Sequence, residues 1–157
     1  MRLLVKEDPE EIKKIESCFV SLSDRFFNTR IAVGVATPRL FFNWSEFIVE
    51  TSLEILVRSG IVSSFFHAPK NSPLDHAGID FQVLYSNKKI SLQVKGSREG
   101  VRKHLLHHPD IPYILVSRTE MGRGRSKNQI ERVSRAMYLT TAKEILKTLR
   151  EYIFLHP

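Results

Sequence analysis

The chain has 157 residues and a mass of 18.2 kDa, room for one domain around one core. With 42% hydrophobic residues, 26% charged residues and ten Phe it is too apolar for global disorder, yet no stretch approaches the roughly 18 uninterrupted apolar residues of a membrane span. Its 24 Lys and Arg against 17 Asp and Glu give a formal charge of +7 and a pI near 9.7, a balance that favours an anionic partner, of which nucleic acid is the commonest.

The N-terminal MRLLVKEDPEEIKK turns acidic where a signal peptide carries its apolar core, so an unexported protein is expected. Cys18, the only cysteine, excludes an internal disulfide and a Cys-rich zinc site and fits a reducing cytoplasm. Asp8-Pro9-Glu10-Glu11 opens a helix, with an N-cap acid, proline at the first position and acids facing the positive end of the dipole; it is expected to run over 9–27. Arg30 to Phe42, apolar but holding Gly34 and Pro38, reads as a short strand or tight loop. Asn43-Trp44-Ser45-Glu46 has capping-box spacing and starts a helix that stops at Ser59-Gly60. Beyond Gly60 the period changes from 3.6 to 2, and IVSSFF, GIDFQVLY and ISLQVKG follow as strands. Arg98 to His108 reads as helix, Ile111 to Ser117 as a buried strand, Thr119 to Gln129 as a loop, and the capping-box spacing at Thr141 opens a final helix over 141–154. This order fits one α/β domain over 1–157, a mixed central sheet flanked by helices.

Alternation along the hairpin decides which side chains share a face. Ile79, Phe81, Val83, Tyr85, Ile90, Leu92 and Val94 form the core face, whereas Asp80, Gln82, Ser91, Gln93 and Lys95 lie opposite, with Leu84 the apolar exception. A two-residue turn centred on Asn87-Lys88 sets Gln82 against Gln93 and Asp80 against Lys95. An acid, a lysine and two amides on rigid strands make either a solvated sheet face with a cross-strand ion pair or a reactive patch.

Gly78-Ile79-Asp80 followed by Gln93-Val94-Lys95 resembles the core of the PD-(D/E)XK nuclease superfamily, the restriction-endonuclease-like fold, in a QxK form. A helix that carries a Glu and ends in Gly, as Glu50 to Gly60 does, precedes that core in many members. The similarity covers about 43–117, roughly half the chain. It implies a divalent-metal-dependent endonuclease that hydrolyses DNA phosphodiester bonds, with Mg2+ as cofactor and Mn2+ as its substitute. Asp80, Glu50, Gln93 and the Val94 carbonyl would hold the metal, and Lys95 would position the attacking water and stabilise the phosphorane charge. The chemistry agrees, since Mg2+ prefers oxygen ligands and acidifies a bound water, and lysine is a compact charge for a developing oxyanion. The family more often has an acid at the position of Gln93, so one anionic ligand is neutral here and metal binding is expected to be weaker. The alternative is a nuclease-like fold without catalysis that binds nucleic acid or serves assembly.

Glu46, Glu50 and Glu54 share one side of their helix; Glu46 is assigned to the capping box and Glu54 to a pair with Arg58, which leaves Glu50 for the metal. Asp75 reads as the residue that caps a turn, the alternative being that it stands at the family's Pro-Asp entry with a secondary contact to metal or water. Arg98, Arg102 and Lys103 fit either phosphate contact or a solvated helix face, and His104, His107 and His108 fit the surface or phosphate contacts. Arg123, Arg125 and Lys127, within the Gly-Arg stretch that follows the last strand, suit tracking of a phosphate backbone. One active site per chain cuts one strand, so cutting both implies a homodimer or larger assembly.

Overall fold

Asp8 and Pro9 start the first helix as their chemistry dictates. The computed structural model describes residues 6–27, 43–116 and 127–157, the last of these as backbone alone over 127–134. Helix α1 spans Pro9–Ser21, with the Asp8 carboxylate accepting the Glu10 N–H at 3.0 Å. It stops six residues earlier than expected, because Leu22 turns extended while its N–H still bonds the Cys18 carbonyl, and the Ser21 hydroxyl takes up the same carbonyl at 2.7 Å. Serines that bond the backbone in this way compete with continued helix. A separate helical turn covers 24–27. The expected strand or loop at Arg30 to Phe42 lies outside the described residues.

Helix α2, Trp44–Arg58, is capped by Asn43, whose side chain accepts the Glu46 N–H at 3.2 Å, and it ends at Ser59 before Gly60 in the left-handed region at φ 79°. Strand β1 (Ser64–His67), a short helix α3 (Pro73–His76), strands β2 (Phe81–Tyr85) and β3 (Lys88–Lys95), helix α4 (Arg98–His107), strand β4 (Tyr113–Leu115) and helix α5 (Lys127–Leu155) complete the order. The sheet has the order β1-β2-β3-β4, antiparallel from β1 to β3 and parallel between β3 and β4, which α4 connects. It is thus an α/β domain with a four-stranded mixed sheet flanked by helices. Among the described residues no helix is long and apolar enough to cross a membrane.

The hairpin register differs from the expected one. The turn is Ser86-Asn87, with φ of 51° and 62°, and Tyr85 pairs with Lys88, so Gln82 stands opposite Ser91. A tight hairpin turn needs positive φ at both central positions, which Asn tolerates and Lys resists. Because the shift is two residues, every side chain keeps its predicted face.

The core lies between one sheet face and α2 and α5. Phe81, Val83, Ile90 and Leu92 from the sheet meet Ile48, Leu53, Ile55 and Leu56 of α2 and Tyr138, Ala142, Ile145 and Leu149 of α5, all essentially buried. The last four recur at helical spacing across Thr141, which is itself buried within α5 and caps nothing. With no Gly or Pro from Lys127 to Leu155, one long helix takes in residues 127–129 of the expected loop and the whole of the expected short helix, while 119–126 lie outside the described residues. Helix α1 is fastened by Glu11, whose carboxylate binds Arg150 at 2.7 Å and accepts the Tyr85 hydroxyl at 3.3 Å. Burial and then Glu11 push the Tyr85 phenol up to about 12. Glu11→Ala leaves the Tyr85 hydroxyl without its acceptor and Arg150 with only the more distant Asp8 carboxylate at 3.8 Å, and a loss of about 1–2 kcal/mol in denaturant unfolding is expected.

Candidate active site

Strands β2 and β3 part just beyond Phe81, and Asp80 sits at the fork. Its N–H still donates to the Leu92 carbonyl at 2.9 Å, its carbonyl accepts from Ala68 at 2.8 Å, and its Oδ2 accepts the Val94 N–H at 2.7 Å. The carboxylate thereby takes the place of the ladder bond that β3 loses where its partner leaves. Asp80 is therefore not set against Lys95, as the expected turn required; its side chain is tied to the backbone beside it. At 5% exposure, burial pushes its pKa up to about 6; the Val94 N–H and the nearby Lys95 oppose this, and the fields of Glu46 and Asp75 add to it.

Gln93 and Lys95 follow on the β3 face away from the core. The Gln93 N–H bonds the Pro112 carbonyl at 3.0 Å, and its side-chain Oε1 is buried with no hydrogen-bond donor in reach. A buried amide oxygen without a donor is unusual and costly. The Lys95 stem lies against α4 at Gly100, where a β-carbon would stand 3.4 Å from Cδ. Val94 enters the site through its N–H, bonded to Asp80.

The acids of α2 are arranged differently from the expectation. Glu46, 9% exposed, satisfies the capping box only through its backbone; its carboxylate lies 3.3 Å from His67 Nε2 and 3.9 Å from Lys70 Nζ. Glu50 Oε1 lies 3.8 Å from His67 Nδ1. Of the two, Glu46 is the one whose charge bears on Asp80. His67 stacks on Phe81, with ring centroids 4.3 Å apart, and is held up to about 9, chiefly by Glu46 and then Glu50, against the opposing effect of burial. Composition did not single out His67, but its place two residues after Phe65 puts both on the inward face of β1, a usable signal.

A raised histidine pKa stabilises the fold fully below the ordinary value of 6.5, and the contribution fades as pH rises through about 9. Relative to the native chain, His67→Gln should lose about 1–2 kcal/mol more at pH 6–7 than at pH 10, discounted for a part-exposed ring, with the loss of the ring's stacking on Phe81 common to both. Denaturant melts at three pH values check this.

Asp75 does close a turn, accepting the Asn71 N–H at 2.9 Å where Asn71 has φ 61°. Arg98, Arg102 and Lys103 are exposed on α4, with Lys103 paired to Glu99 at 3.5 Å. His104 is not a surface residue: it is 3% exposed, and its pKa is lowered by burial, with the Ile111 carbonyl opposing and Lys95 and His108 adding to the shift. Arg123 and Arg125 lie outside the described residues, and Lys127 is described by its backbone as the first residue of α5.

The donor set fits a hard cation in kind: carboxylates from Asp80, Glu46 and Glu50 and the undonated amide oxygen of Gln93. Among the described residues no three His, Cys, Asp or Glu side chains stand close enough to hold a metal ion by themselves. No family model matches the chain, and neither a curated protein nor a solved structure matches it significantly.

Proposed function

We propose that the chain is a divalent-metal-dependent endonuclease of the PD-(D/E)XK type, acting on DNA. One observation supports this: a buried carboxylate, Asp80, whose N–H and Oδ2 bond β3 on either side of Gln93, stands at the fork of two strands beside a buried amide oxygen with no donor, that of Gln93, with a lysine, Lys95, two residues on. The order helix, three antiparallel strands, helix, parallel strand supports a restriction-endonuclease-like core.

Asp80, Gln93 and Glu46 would hold the cation, with Glu50 beside Glu46 as the further acid. When bound, Mg2+ or Mn2+ supplies a water acidic enough to attack phosphorus near neutral pH. The Val94 N–H fixes the Asp80 carboxylate in orientation, and Asp80 must give up its proton before it can bind a cation. Lys95, propped by Gly100, faces the charge that develops on the phosphate oxygens. Arg98 and Arg102, exposed on the helix after Lys95, would meet backbone phosphates. Cutting both strands takes a homodimer, and one half-buried thiol, Cys18, suits a reducing cytoplasm.

The test is cleavage of supercoiled plasmid and branched synthetic DNA with Mg2+ or Mn2+, comparing the native chain with Asp80→Ala and Lys95→Ala. Metal-dependent cutting lost in both variants is the expected result. The second reading, a nuclease-like module that binds nucleic acid without cutting it, is favoured by one arrangement: Glu46 and Glu50 are already matched by His67 and Lys70. Binding of these DNAs with no cutting under either metal would make it the better account.

A further inference from the structure

The end of α4 touches the chain on both sides of the candidate site. His104 Nε2 lies 2.8 Å from the Ile111 carbonyl, and the next carbonyl, that of Pro112, accepts the Gln93 N–H at 3.0 Å. The His104 ring also meets Tyr113 edge-on at 6.1 Å, and Tyr113 is the register partner of Gln93. One turn later the His108 N–H donates to the His104 carbonyl at 2.7 Å. Its ring lies so close to Gly78 that a β-carbon there would come within 2.6 Å of Cδ2. Gly78, at φ 80°, begins the tripeptide that ends in Asp80.

We propose that His104 and His108 are positioning residues: a clamp that sets the separation between Asp80 and Gln93 and, through it, the affinity of the site for a divalent cation. The second part rests on the metal-site reading above; the first does not. Neither ring is placed to touch a reacting atom. His108 packs against the turn two residues before Asp80, and His104 bonds the carbonyl next to the one that accepts the Gln93 N–H; ligand placement to a fraction of an ångström separates a working site from a loose one. Four contacts, His108 to Gly78, His108 to His104, His104 to Ile111 and Pro112 to Gln93, run along the helix end beside the two direct bonds from Asp80 to Leu92 and Val94, and brace the turn and the strand that carry the two candidate ligands.

The experiment uses the full chain with His108→Ala, His108→Phe and His108→Gln. Two readouts are taken: hydrogen exchange of the Val94 amide, which reports the bond to Asp80 Oδ2, and Mn2+ binding by calorimetry. His108→Ala is expected to speed Val94 exchange relative to other β3 amides and to weaken Mn2+ about tenfold. His108→Phe, which restores a flat ring over Gly78, is expected to recover both. His108→Gln keeps bulk without a ring and, should the alanine variant be too unstable to assay, is expected to show the same selective Val94 loss. Unchanged Val94 exchange in the Ala and Gln variants overturns the clamp, as does a loss shared equally by all β3 amides. If the native chain binds no Mn2+ while Val94 still responds to His108, the clamp stands and the metal reading fails.

Discussion

Asp80→Asn should raise the stability of the fold at pH 7 and, on the proposed nuclease reading, abolish metal-dependent cleavage in the same protein. On that reading the loss of activity follows from removing the proposed anionic ligand, and a drop of roughly 10³-fold or more is expected for a group on which metal and water would both depend. The gain in stability follows from burial. The carboxyl pKa moves from its ordinary 3.8 to about 6, so at neutral pH the fold carries an ionised group it would hold more easily with a proton. That corresponds to a penalty of up to about 3 kcal/mol. Asparagine removes the charge and keeps an oxygen for the Val94 N–H. Between about pH 4 and 6 the folded native chain binds more protons than the unfolded one, so its stability falls as pH rises through that window and levels off above it. The Asn variant should lack this slope. Denaturant melts from pH 4 to 8 beside cleavage assays decide the matter. An Asn variant that is less stable at pH 7, or that keeps the slope, would show that Asp80 is not the group under strain.

Local signals fixed much of the architecture. Caps and breakers act within a few residues, so Asp8-Pro9, Asn43 and Ser59-Gly60 placed the helix start and the bounds of α2, and period-2 runs placed β1, β2 and β3. Where a signal is degenerate, expectation and structure parted. Thr-x-x-Glu at 141 has the spacing of a cap, but only packing against the sheet and α2 reveals that the chain is already helical from Lys127. Likewise two adjacent turn centres were open to the hairpin, and backbone φ at Ser86 and Asn87 chose between them.

The candidate site was legible to the extent that it lies on one hairpin. Asp80, Gln93 and Lys95 are neighbours through local pairing, which alternation reports. In the sequence a capping box accounts for Glu46 locally, whereas its carboxylate answers to His67 and Lys70, more than twenty residues away. The roles of His104 and His108 depend on contact with Ile111 and Gly78, and the second of these is set only by how α4 crosses the sheet. A sequence pattern carries no information on that crossing.

Gly78→Ala is the substitution outside the core expected to cost the fold most, and Gly60→Ala is its natural control. Both glycines sit in the left-handed region, at φ 80° and 79°, where a β-carbon costs about 1–2 kcal/mol for the backbone alone. Gly60 has no atom within 4 Å of that β-carbon, so this is all it should lose. At Gly78 the added carbon would meet three atoms of the His108 ring at 2.6–2.9 Å. The bond from the His108 N–H to the His104 carbonyl at 2.7 Å holds the main chain of His108 in place, so relief has to come from turning the ring out of its place over the turn. Overpacking against a fixed neighbour adds about 1–3 kcal/mol, for a total of about 2–5 kcal/mol. In a chain of this size the total would lower Tm by roughly 5–15 °C. The difference between the two alanine variants isolates what the ring contributes. Equal losses at both positions would mean that His108 yields freely and exerts no hold on the turn that delivers Asp80, whereas a larger loss at Gly78 that shrinks when His108→Ala is added would locate the strain in that contact.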